Sequence, residues 1–181
     1  MTTSPPIRLS LPVTVLLERR IISRSFWSMP SWYLHTVAVG ENVAIASSGT
    51  GAVAAAGHTD KGELFAWSGF HVNLYKDACE RYWHALIGDK PLVYVVCRDA
   101  GAVADDASVD SASIEPVIVT IDYDEATASA ETDELVLSGP IPGELYHYME
   151  NFVLQHYRPK AFKKRKRRRW SDDDPTNRNV R

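Results

Sequence analysis

The chain has 181 residues, 45% hydrophobic and 24% charged, with a formal net charge of −3, which is enough for one core and scarcely enough for two. No stretch approaches the roughly 20 apolar residues of a membrane span. The start, MTTSPPIRLSLPVTVLLERR, lacks the order of a secretory signal, and Cys79 and Cys97 alone make neither a disulfide framework nor a zinc site, so one reduced, cytoplasmic domain with no membrane contact is expected.

Residues 9–17 (LSLPVTVLL) read as a first strand, rich in β-branched side chains, with Pro12 suiting an edge or strand-entry position. The turn-prone SRSFWSMPS leads to a second candidate at 32–39 (WYLHTVAV). Residues 40–62 (GENVAIASSGTGAVAAAGHTDKG) have little bulk and poor periodicity, and predict a long loop or insertion. Strand character returns at 64–75 (LFAWSGFHVNLY), where Phe70, Val72 and Leu74 alternate with His71, Asn73 and Tyr75. A helix follows. Asp77 and Glu80 have capping-box spacing, Ala78, Tyr82, Ala85 and Leu86 share a side, and Gly88 with Pro91 ends the run.

Residues 91–97 (PLVYVVC) are apolar on both faces and predict a central, covered strand. A polar, acidic loop at 98–116 precedes strand character at 117–121 (VIVTI), and a short Ala-rich helix is expected at 124–130. The last helix is the clearest: Pro142 suits its first turn, Leu145, Tyr148, Met149, Phe152 and Val153 form an apolar stripe, and Pro159 stops it. The sum is an α+β fold: a mainly antiparallel sheet packed by two or three short helices in one domain, residues 1–157, followed by a disordered basic C-terminal tail, 158–181.

The charge is divided. From Arg158 onward eleven Lys or Arg face three Asp, giving +8, while the first 157 residues carry nine basic and twenty acidic side chains, giving −11. In AFKKRKRRRW, residues 161–170, Lys163, Lys164, Arg165, Lys166, Arg167, Arg168 and Arg169 stand in a row. Like charges at i, i+4 repel, so this run should stay disordered until it meets an anion. The candidates are nucleic acid, the acidic body or a neighbouring subunit, and an acidic partner protein; a solvated solubility tail is the plain alternative. A body of −11 opposes a duplex, and no recognition helix accompanies the tail, which leaves only non-specific nucleic-acid binding.

Among the aromatic residues, Trp27 in its turn-prone segment and Trp67 just before Ser68-Gly69 are expected to be partly exposed. With the basic run they are the candidate partner-binding residues. Glu18-Arg19-Arg20 either flanks that patch or forms surface ion pairs. No catalytic, cofactor-binding or metal-binding residues are predicted: Cys79 reads as a buried structural thiol, and His147 with Glu150 as neighbours on a solvated helix face.

The segments VTVLLERR, WSGFHVNLY, PLVYVVCR, VTIDYDEA and above all FVLQHYRPKAFKKRKRR resemble, in this order, a bacterial family of unknown function. Its members are often labelled molybdopterin-guanine dinucleotide biosynthesis protein A and tend to be encoded beside molybdenum-dependent formate dehydrogenases. The resemblance carries no catalytic or ligand residues. It implies a non-enzymatic accessory role in assembly or cofactor loading, with formate dehydrogenase or its maturation factors as partner. The enzymatic label fits the residues poorly. A nucleotidyltransferase needs a Gly-rich, cationic loop after its first strand, and here that strand ends in Leu16-Leu17-Glu18-Arg19-Arg20. GTGAVA, with Gly49, Gly51 and Ala54, matches the dinucleotide spacing and keeps a nucleotide-binding enzyme as an alternative, although Gly57 would break the helix that the motif requires.

Overall fold

The computed structural model describes residues 8–40, 53–99, 114–130 and 134–159. Its longest element is β1, Arg8–Arg24, which a two-residue turn at Ser25 and Phe26 joins to β2, Trp27–Val39. β3, Val53–His58, turns back into β4, Glu63–Tyr75. A 3-10 turn, Lys76–Ala78, opens α1, Cys79–Ile87. The remaining elements are β5, Leu92–Asp99; β6, Ile114–Thr120; α2, Tyr123–Ala130; β7, Leu135–Pro140; and α3, Gly143–His156.

The strands form two antiparallel sheets, one in the order β2-β1-β4-β3 and one in the order β6-β5-β7. The expected α+β class with antiparallel pairing therefore holds, with the strands divided between two sheets. β7 approaches β2 and β6 approaches β4, and one hydrophobic cluster lies between. The first sheet contributes Val13, Val15, Leu17, Trp32, Phe65, Trp67, Val72 and Leu74; the second contributes Val93, Val95, Cys97 and Val119. Helix α1 adds Cys79 and Tyr82, and α3 adds Leu145, Met149, Phe152 and Val153. The opposite face of β5 meets α2, where the Tyr94 and Tyr123 rings lie edge to face at 5.9 Å. That is the covered, central strand its two-sided apolar pattern predicts.

Several expectations need correction. β1 is a central strand, so Pro12 is not on an edge; it lies one residue before the first β1–β2 pair, Val13↔Val39, where its carbonyl accepts from the Gly40 amide and the Gly40 carbonyl, to which a proline has no N–H to offer, accepts from the Thr14 hydroxyl at 3.1 Å. Residues 53–58, expected within a loop, pair with β4 as an edge strand. The loop expected at 98–116 is shorter at both ends, because β5 runs through Asp99 and β6 begins at Ile114. Asp77 does not cap α1; it sits inside the 3-10 turn, and no side-chain cap bond is made at Tyr75 or Ala78. Pro142 is the N-cap of α3 and not its first residue. β7 has no counterpart in the sequence reading, and Tyr148 is 40% exposed, outside the stripe it was placed in.

Candidate functional site

β4 pairs with β1 only from Arg8 to Arg19, whereas β2 continues alongside β1 to the turn. The last five pairs, Arg20↔Ser31 to Arg24↔Trp27, therefore form a two-stranded arm beyond the four-stranded sheet. At about 3.3 Å per residue it is roughly 15 Å long. Its turn and flanks concentrate exposed apolar surface: Phe26 is 98% exposed, Ile21 65%, Trp27 53% and Met29 49%. An isolated two-stranded ribbon is marginal on its own, and large apolar side chains grouped at such a tip mark a contact surface.

The base of the arm is held by charge. Glu18 is 2% exposed, and its carboxylate accepts from Arg20 Nε at 2.8 Å, from Arg20 Nη2, and from the Thr59 hydroxyl. These donors hold the Glu18 carboxyl below the ordinary carboxylate value, Arg20 contributing most. Arg20 also lies over the Tyr33 ring at 4.3 Å. On the other face, Arg19 Nε donates to Glu63 at 3.1 Å and its guanidinium lies 5.1 Å over Phe65. Glu18-Arg19-Arg20 thus forms ion pairs, one of the two alternatives expected of it, with the Glu18 carboxylate buried and not at the surface, and it stands where the arm leaves the sheet. Arg24, at the tip, makes no ion pair among the described residues.

Trp27 is exposed as expected, but Trp67 is not. Position 67 lies opposite Val15 on the inner face of β4, only 2% exposed, with Trp32 and Phe65 each 6.1 Å away. Ser68-Gly69 is a strand irregularity opposite Thr14, between the Val13↔Phe70 and Val15↔Trp67 pairs, with Gly69 at φ 87°. Phe26, Met29 and Ile21 are exposed apolar side chains of the arm that sequence reasoning passed over, although Phe26-Trp27 within SRSFWSMPS was the available signal. The basic run at 163–169 lies outside the described residues. Its root is visible: Tyr157 stacks on Trp83 at 5.6 Å, and Tyr157 and Arg158 share a cleft of about 410 Å³ with Lys76, Asp77, Cys79 and Glu80.

That root lies beside the end of β4, whose Tyr75 pairs with Arg8 at the start of β1; the arm lies at the other end of β1. Sixteen residue steps separate Arg8 from Arg24, roughly 50 Å of strand. The arm and the root of the tail are therefore separate surfaces.

Other polar contacts among the described residues join elements of the fold. Arg81 Nε donates to Asp122 at 2.7 Å, Asp122 Oδ1 accepts from the Asp124 amide at 3.1 Å, and the pair clips α1 to the start of α2. A half-open cleft of about 410 Å³ beside it is lined by His84, Lys90, Tyr94 and Tyr123. Burial pushes the Cys97 thiol up to about 12 and raises that of Cys79, where Asp77 adds to the effect. Both are poor nucleophiles in the folded state. His147 and Glu150 lie 3.7 Å apart on the outside of α3, and no metal-holding cluster occurs among the described residues. No helix among them is long and apolar enough to cross a membrane. Gly49 and Gly51 lie outside the described residues, but Ala54 falls in β3, so the dinucleotide spacing leads into a strand where that motif requires a helix. β1 likewise runs into a hairpin and not into a phosphate-binding loop and helix.

Fold and surface together define an α+β protein of two antiparallel sheets that extends an aromatic arm. The chain belongs to DUF3305, a family of proteins of unknown function, whose pattern matches residues 12–167 and so takes in the arm, the core and most of the basic run. No curated protein and no solved structure matches it.

Proposed function

We propose that this is a non-enzymatic accessory protein that docks on a partner protein through the arm, and that the partner is a molybdenum-dependent formate dehydrogenase or one of its maturation factors. The observation supporting docking is the concentration of Phe26, Trp27 and Met29 at the end of a ribbon that extends past its sheet. Apolar side chains left in water there gain free energy only when something covers them. The choice of partner rests on the resemblance of the five sequence segments quoted above, and the basic tail supplies a second contact.

The test uses the full-length protein in its native host. Replacing Phe26 and Trp27 together by Ser should leave the melting temperature within about 2 °C of wild type, because both side chains are exposed. Co-purification with formate dehydrogenase components and formate dehydrogenase activity should both fall. Full activity in a strain lacking the gene would overturn the reading.

A further inference from the structure

Side chains of directly paired residues point to the same side of an antiparallel ribbon, and successive pairs alternate. One face of the arm therefore carries Arg20, Ile22 and Arg24 on β1 beside Ser31, Met29 and Trp27 on β2. The other face carries Ser23 and Ser28, whose hydroxyls hydrogen-bond at 2.8 Å, with Ile21 and Pro30 nearer the base. The ribbon is thus two-sided near its tip, apolar with a cation on one side and small and polar on the other, and Phe26 stands on the turn.

Charge narrows what can cover the apolar side. From Arg19 to Gly40 the chain contains no Asp or Glu. Arg19 and Arg20 are committed to Glu63 and Glu18, which leaves Arg24 as the cation at the tip. The first 157 residues carry −11. One uncommitted cation at the tip is too little for the arm to hold an extended polyanion such as a duplex or an anionic bilayer, each of which the acidic first 157 residues would repel. It is enough to pair with one carboxylate at the mouth of an apolar groove.

We infer that the receptor for the arm is an apolar groove on a partner protein, rimmed by at least one carboxylate that faces Arg24, and that it takes the Ile22–Met29–Trp27 face with Phe26 as the leading side chain. The inference rests on the docking role proposed above. The arm of ten or so residues is smaller than the roughly 20–30 residues per side of a standard interface, so it supplies a small contact with Trp27 as its anchor.

A benzophenone amino acid in place of Phe26, in the full-length protein in its native host, tests this. Irradiation should give an adduct with a partner protein, mapped to one segment. The adduct should be lost with Trp27→Ser and with Arg24→Glu, and retained with Ser23→Ala and Ser28→Ala on the other face. Changing a mapped carboxylate to Lys should restore the adduct of the Arg24→Glu protein. With purified partner, Trp27→Ser should weaken binding about 30-fold or more, as expected for an anchor residue. An adduct confined to lipid, nucleic acid or a second copy of this chain, the absence of any adduct, or a charge exchange that restores nothing would each overturn the inference. A successful charge exchange on a protein unrelated to formate dehydrogenase would support the inference and overturn only the choice of partner.

Discussion

Glu18 stands two residues from Arg20 and so on the same side of β1, and its other donor, Thr59, comes from the β3–β4 turn. The triplet Glu18-Arg19-Arg20 was visible in the sequence, but the burial of its acid was not, because Thr59 is 41 positions away and nothing local signals the contact. Arg20 first and Thr59 second depress the folded-state pKa below the ordinary 4.5. The unfolded chain then takes up a proton at Glu18 at a pH where the folded chain still does not. This stabilisation is complete above the unfolded value and is lost as pH falls through the folded one. Glu18→Gln should lower the melting temperature at neutral pH, since Arg20 loses its counter-charge, and should flatten the acid decline below about pH 4.5. Melts of both proteins from neutral pH to about pH 3 check it; parallel acid limbs would mean that Glu18 is not a group whose protonation sets the decline.

The helices show where periodicity reads well and where it blurs. α3 packs against α1 and β2, and Leu145, Met149, Phe152 and Val153, at i, i+4, i+7 and i+8, are all buried. Tyr148, at i+3, falls at the margin of that stripe and stays 40% exposed, which a helical wheel alone does not decide. Phe152→Ala should destabilise by about 3–5 kcal/mol, whereas Tyr148→Ala and Glu150→Ala should each change stability by less than about 1 kcal/mol; denaturant titrations separate the three. Strands β3 and β7 escaped the reading for different reasons. β3, VAAAGH, carries side chains too small to alternate visibly and is specified by its pairing with β4. β7, LVLSGP, ends in residues that signal a turn, yet Gly139 is a strand residue packed against β2: a Cβ on it would lie 3.3 Å from Leu34 Cδ2, which would have to give by a few tenths of an ångström.

For the whole molecule, the basic tail and the aromatic SRSFWSMPS segment were legible in the sequence as candidate contact elements, but the separation of the arm from the root of the tail was not. That depends on β1 running for 17 residues past two partners offset along it, β4 alongside Arg8–Arg19 and β2 alongside Val13–Arg24, a property of pairing and not of composition. Because the arm and the tail root lie at opposite ends of β1, they should act on the docking partner as independent contacts. Truncation after Phe162 and the Phe26→Ser, Trp27→Ser pair should each weaken binding to purified formate dehydrogenase. Combined, their free-energy losses should add to within about 0.5 kcal/mol, the behaviour of distant sites. A strongly non-additive result would show that the tail reaches the arm.

The length of β1 also gives the molecule a gradient of local stability along a single strand. Around Val13, Val15 and Leu17 the strand is laddered on both sides and its side chains are fully buried, so its amides should exchange with solvent only when the whole domain opens. Beyond Arg20 it has one neighbour and water around it, and fraying there needs only a local opening. The arm can therefore melt and re-form around a receptor while the rest of the same strand stays protected.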